Sequence, residues 1–82
     1  MFVMTVDQRG SRSDIDRVDD VLDRLAEWRT VRPFERTAGD EIQAVLDDAA
    51  TTAQLTVDLA ADGHWSVGVG IGPCLLYTSD AA

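Results

Sequence analysis

The hydrophobic periodicity of this chain changes in a fixed order, and that order constrains its fold more than any other feature. Residues 2–7 predict a buried strand, with Phe2, Val3, Met4 and Val6 apolar and Thr5 β-branched. A polar loop with a glycine follows, Gln8-Arg9-Gly10-Ser11-Arg12. Ser13, with Asp16 three positions on, forms an acidic variant of the capping box. Ile15, Val18, Leu22, Leu25 and Trp28 then recur every three or four residues, which predicts a helix over 14–29. Its other face carries Asp19, Asp20, Asp23, Arg24 and Glu27. Val31 to Thr37 predicts a second strand, at a sheet edge because Pro33 cannot donate to a ladder. Ala38-Gly39-Asp40 is a turn, and Glu41 to Leu46 a third strand. Asp47 and Asp48 offer an N-cap for a helix over 48–61, with an inner stripe expected at Ala49, Ala50, Ala53, Val57 and Ala60. Asp62-Gly63 ends it. Trp65, Val67, Val69 and Ile71 alternate with Ser66, Gly68, Gly70 and Gly72, a strand with one bulky face and one bare face.

Strand, helix, strand, strand, helix, strand is the split βαβ pattern. The expected class is α+β, a ferredoxin-like (palm-like) βαββαβ fold: an antiparallel sheet with two helices on one face. Right-handed crossovers make the first two strands parallel, with the third antiparallel between them. The end of the first strand and the turn after the second then share one sheet edge. Asp7 is thereby brought towards Asp40 and Glu41.

The last nine residues, Cys74 to Ala82, match codon for codon the translation of TGT CTC TTA TAC ACA TCT GAC GCT GCC, a transposase-end sequencing adapter. Residues 1–73 are therefore expected to be the N-terminal piece of a longer protein, and 74–82 not native. The competing reading is a genuine C-terminal strand through Leu75-Leu76-Tyr77-Thr78. A domain this short buries only ~60% of its unfolded surface, so marginal stability is expected. The net charge of −8 argues against binding of DNA or an anionic membrane through this segment. The single cysteine, Cys74, lies in the adapter-like tail. That leaves no disulfide or thiolate metal site in residues 1–73 and fits a cytoplasmic protein. Phe2-Val3-Met4-Thr5-Val6 lacks the form of a signal peptide, and no apolar run approaches the ~20 residues of a membrane span.

Asp7, Asp40 and Glu41 at one strand edge make a hard-oxygen site suited to Mg²⁺ or Mn²⁺, with positions left for water and phosphate oxygens. Gln8, Arg9, Gly10, Ser11 and Arg12 follow directly. Their backbone N–H groups, a helix N-terminus and two guanidinium groups could hold the phosphates of a nucleotide. The plain alternative is that Asp7 caps its loop and Gly39-Asp40 is an ordinary hairpin turn. His64 is expected to be a turn residue, and Trp28 and Trp65 core residues. Ser11 and Ser13 have no adjacent base, so nucleophilic catalysis is not indicated.

From Phe2 to Pro73 the chain resembles the start of SatD-family proteins, which share an opening strand ending in Asp and a Gly-Asp-Glu-(apolar)-Gln core. Here that core is Gly39-Asp40-Glu41-Ile42-Gln43. The same stretches resemble palm-type class III nucleotidyl cyclases, whose metal-binding aspartates lie in Asp-x-x-Gly-(Phe/Ser) and Lys-x-x-Gly-Asp motifs. Asp7 with Gly10-Ser11, and Arg36 with Gly39-Asp40, fit those positions. The hairpin is also similar to that of GGDEF diguanylate cyclases, although Ala38 replaces the first glycine and Ile42 the phenylalanine. The resemblance implies a binding or regulatory protein holding metal and nucleotide, with a cyclase or a ligand-free structural domain as alternatives. It also implies a possible homodimer and a further helical part, a helix-turn-helix among the options, that could bind DNA.

Overall fold

The computed structural model describes Met1–Gly72. The adapter and strand readings of 74–82 lie outside the described residues. The elements are β1 (Phe2–Gln8), a 3-10 turn (Ser11–Ser13), α1 (Val18–Leu25), β2 (Arg32–Ala38), β3 (Glu41–Leu46), α2 (Ala49–Asp62) and β4 (Trp65–Ile71). The strands form one antiparallel sheet in the order β2-β3-β1-β4. This is the expected ferredoxin-like βαββαβ arrangement, with β3 between β1 and β2 and the Pro33-bearing strand at an edge.

Strand alternation sorts β1 into two faces. Met4, Val6 and Gln8 are buried on one, beside Ile42, Ala44 and Leu46 of β3. Both helices cover this face: Val18, Val21 and Leu25 of α1 and Leu55 and Leu59 of α2 join those residues and Trp65 in one core cluster. The opposite face carries Val3 in register with Val45, then Thr5 with Gln43, and Asp7 with Glu41. No helix covers it among the described residues.

Four local expectations give way to the tertiary structure. The first helix begins at Val18, not after Ser13. Asp14 accepts the Ile15 N–H at 2.7 Å and Asp16 the Val18 N–H at 3.0 Å, so side chains take up donors that a longer helix would have used. Its apolar stripe shifts accordingly: Ile15 is 66% exposed, and Val21 is buried instead. At the other end, bonds from Ala26 to Asp23 and from Trp28 to Leu25 tighten the chain out of the helix. Trp28 still packs against the core.

The second helix has the expected cap, since Asp48 accepts the Thr51 N–H at 2.7 Å, and it ends at left-handed Gly63. Its buried stripe, however, is Thr52, Leu55 and Leu59, while Ala49, Ala50, Ala53, Val57 and Ala60 are exposed. Two leucines remove more apolar surface from water than the alanines, so they set which way the helix faces. Thr52 is tolerated because its hydroxyl donates to the Asp48 carbonyl at 2.8 Å. α2 consequently lies on the bulky side of β4, over Trp65. The glycine side faces away from the helices, so close packing of an alanine stripe on those glycines does not occur.

Candidate functional site

The corner formed by the end of β1 and the β2–β3 turn gathers most of the residues singled out above. Asp7 stands directly opposite Glu41 in the β1–β3 register. The next residue, Gln8, donates its backbone N–H to the Asp40 carbonyl at 3.1 Å, which ties the turn to β1. Asp7 is half-buried. Its carboxyl is held above the ordinary range, first by burial and then by the charges of Glu41 and Asp40. Thr37, on β2, donates its hydroxyl to the Glu41 carboxylate. The three expected carboxylates are therefore near enough to act on one another. Among the described residues, however, no three Asp, Glu, His or Cys side chains are arranged as ligands around one point.

Alternation explains that division. Asp7 and Glu41 project from the helix-free face. Asp40 lines a cleft of about 530 Å³ together with Gln8, Arg12, Asp16, Arg36 and Gly39. Arg36 organises its wall: the guanidinium donates to the Gly39 carbonyl at 2.5 Å and lies 3.3 Å from both Asp16 and Asp19. The Val18 N–H first, and Arg36 second, hold the Asp16 carboxyl below its usual range.

The groups of residues 8–12 differ in how far the fold already uses them. Gln8 is 4% exposed, and its side chain is committed at both ends, donating to the Ile15 carbonyl at 2.7 Å and accepting the Arg17 N–H at 2.8 Å. It pins the segment between the 3-10 turn and α1, so its amide is not offered to a phosphate. The Arg9 N–H is likewise used, donating to the His64 carbonyl at 2.7 Å. The helix begins at Val18, beyond the loop and the 3-10 turn, and not after Ser13 as expected. What remains at the loop is the left-handed Gly10, the backbone at Ser11, and the exposed Arg9 and Arg12. Of these, Arg12 reaches the cleft.

Sequence reasoning gave no place in the cleft to Asp16, and used Arg36 only as a motif position. Twenty residues separate the two, and only the packing of α1 against the β2 edge brings them together. A second, smaller cleft of about 230 Å³ is lined by Arg17, Asp20, Val21, Arg24, Asp62, His64 and Trp65. Its polar groups are structural. Asp62 accepts the Trp65 indole N–H at 2.9 Å and the Arg24 guanidinium at 3.3 Å, and those contacts, the indole first, lower its pKa. No helix among the described residues is long and apolar enough to cross a membrane. No protein-family model, curated protein or solved structure matches this chain.

Proposed function

We propose that this chain is the palm-like part of a SatD-like binding or regulatory protein that holds a divalent cation, Mg²⁺ or Mn²⁺, and with it a nucleotide. The place is the corner of Asp7, Glu41 and Asp40. One observation carries the reading: Asp7 faces Glu41 in register, with Asp40 close enough to raise the Asp7 pKa further. Ionising Asp7 opposite Glu41 costs free energy in the absence of a cation, and a bound cation would offset that cost. Mg²⁺ keeps several waters and needs only one or two protein carboxylates when phosphate oxygens complete its shell, so Asp7 and Glu41 suffice without a preformed three-ligand cage. Arg12, beside Asp40 in the cleft, supplies a cation for a phosphate group.

Melting of the 82-residue chain with Mn²⁺ and a non-hydrolysable nucleoside triphosphate tests this. The wild type is expected to melt higher, by an amount equivalent to about 2.7 kcal/mol at a hundredfold excess over Kd. Asp7→Asn is expected to lose that gain. An equal gain in the variant, or none in the wild type, would remove the site. A second reading, a class III nucleotidyl cyclase, draws on the same pairing of Asp7 with the turn aspartate. It requires cyclic nucleotide and pyrophosphate to form from ATP or GTP with Mn²⁺.

A further inference from the structure

The two edges of the sheet are built in opposite ways. β2 is protected. It carries Pro33, the charges of Arg32, Glu35 and Arg36, and register shifts against β3, all devices that discourage another strand from pairing. β4 has none of these. Trp65–Ile71 contains no charged residue and no proline, in a chain that is 27% charged. Val69 is 43% and Ile71 74% exposed.

The ladder shows which backbone groups β4 leaves over. The Arg9 N–H donates to the His64 carbonyl and the Gly72 N–H to the Met1 carbonyl, which makes these two closely bonded pairs at the ends of the β1–β4 register. Antiparallel pairs alternate. Ser66, Gly68 and Gly70 therefore bond to β1, and the N–H and C=O groups of Trp65, Val67, Val69 and Ile71 point outward from the edge.

α2 extends this surface. It lies over β4 and β1, with α1 on the β2 side. Arg24 of α1 reaches Asp62, so the α2 flank bearing Thr51, Gln54, Asp58 and Asp62 faces α1. The flank turned the other way, over the β4 edge, is Ala49, Ala53, Val57 and Ala60, all exposed.

We propose that this edge pairs with the same edge of a second copy, β4 against β4 across a two-fold axis at Gly68. That register sets Trp65 against Ile71 of the second copy and Val67 against its Val69, so the outward backbone groups of each strand meet their like. It also brings the exposed end of one strand onto the aromatic end of the other, a favourable cross-strand pairing. A parallel arrangement would leave Ile71 beside Ile71. Charge supports a second copy as occupant: each chain carries −8, and this uncharged surface is where two can meet with least repulsion. Helix spacing supports it as well. Helices lying over β4 and β1 of each copy stand about two strand spacings apart, roughly 10 Å, the separation of packed helices, and alanines on the facing flanks permit it. The contact is isologous and closes at a dimer, an eight-stranded sheet with a protected β2 at each end.

Sedimentation equilibrium of the 82-residue chain tests the proposal. A discrete dimer is expected. Val69→Lys, at an exposed site that keeps the monomer's circular dichroism and melt, is expected to weaken it by more than about tenfold. Independently, Gly68→Cys in a Cys74→Ser background is expected to form a covalent dimer on mild oxidation. Gly68 has no positive φ and has room for a Cβ, and non-bonded antiparallel pairs suit a disulfide. A monomer at every concentration, open-ended aggregation, or a dimer indifferent to Val69→Lys and uncrosslinked through Gly68→Cys would overturn it.

Discussion

Gln8 and Asp7 are neighbours on β1, yet the two sides of the sheet treat them differently. On the helix side, Gln8 is buried and its amide is bonded at both ends, and close by the Asp16 carboxylate is met by the Val18 N–H and the Arg36 guanidinium. On the open side, Asp7 looks across at Glu41, carboxylate against carboxylate, and the Asp7 pKa rises. Polar groups on the first side hold α1 to the sheet. On the second, the Asp7 carboxylate opposes the fold at neutral pH, which makes it the group with something to gain from a ligand.

The contrast breaks most visibly at Gln8. Gln8→Ala leaves the Ile15 carbonyl and the Arg17 N–H without their partner beside a buried site. The expected loss is roughly 2–3 kcal/mol in urea unfolding, from unsatisfied polar groups and lost packing. A loss within error of zero would mean that water replaces the amide and that the segment before α1 is not pinned by it.

A carboxylate well supplied with donors sharpens the comparison from the other direction. Asp48 accepts both the backbone N–H and the hydroxyl of Thr51, and these bonds, the hydroxyl's first, lower its pKa from 3.8. Its support of the fold is therefore present above 3.8 and fades as pH falls through the lower folded-state value. Asp48→Ala should lower the melting temperature at pH 7, by less than Gln8→Ala does. The gap between wild type and variant should close on acidification. A gap that persists at the lowest pH would assign the loss to the hydrogen bonds that a neutral carboxyl still accepts at the cap, not to its charge.

Topology was legible in the sequence because it rests on period and order, which survive small errors at element ends. Pro33 marked the β2 edge, and Asp48 and Gly63 marked the ends of α2, since each acts on its own backbone. Helix phase was less legible. The alanines of α2 outnumber the leucines, but Leu55 and Leu59 carry the burial, and a count of small residues points to the wrong flank. The start of α1 was hidden for another reason: Asp14, Asp16 and Gln8 compete for its backbone, and Gln8 does so from a strand. Within the candidate site, the meeting of Asp7 with Glu41 follows from topology. The division of Asp7 and Asp40 between the two sides of the corner follows from strand alternation together with the turn, which only the folded chain fixes.

The smallest effect is the most telling for function. Because the folded-state pKa of Asp7 is raised, folding favours its protonated form. Below the unfolded value, Asp7 is neutral in both states and Asp7→Asn should change nothing. As pH rises through the folded value the wild type loses stability relative to the variant, and the difference then stays constant. At pH 7 in low salt, Asp7→Asn should therefore melt slightly higher than the wild type, by a few tenths of a kcal/mol, and added salt should shrink the gain. Mn²⁺ should reverse the order, raising the wild type past a variant that lacks the ligand. If Asp7→Asn instead melts lower at pH 7 without metal, the carboxylate is supporting the fold. The two sides of the sheet would then be alike, and the case for a cation at this corner would lose its electrostatic basis.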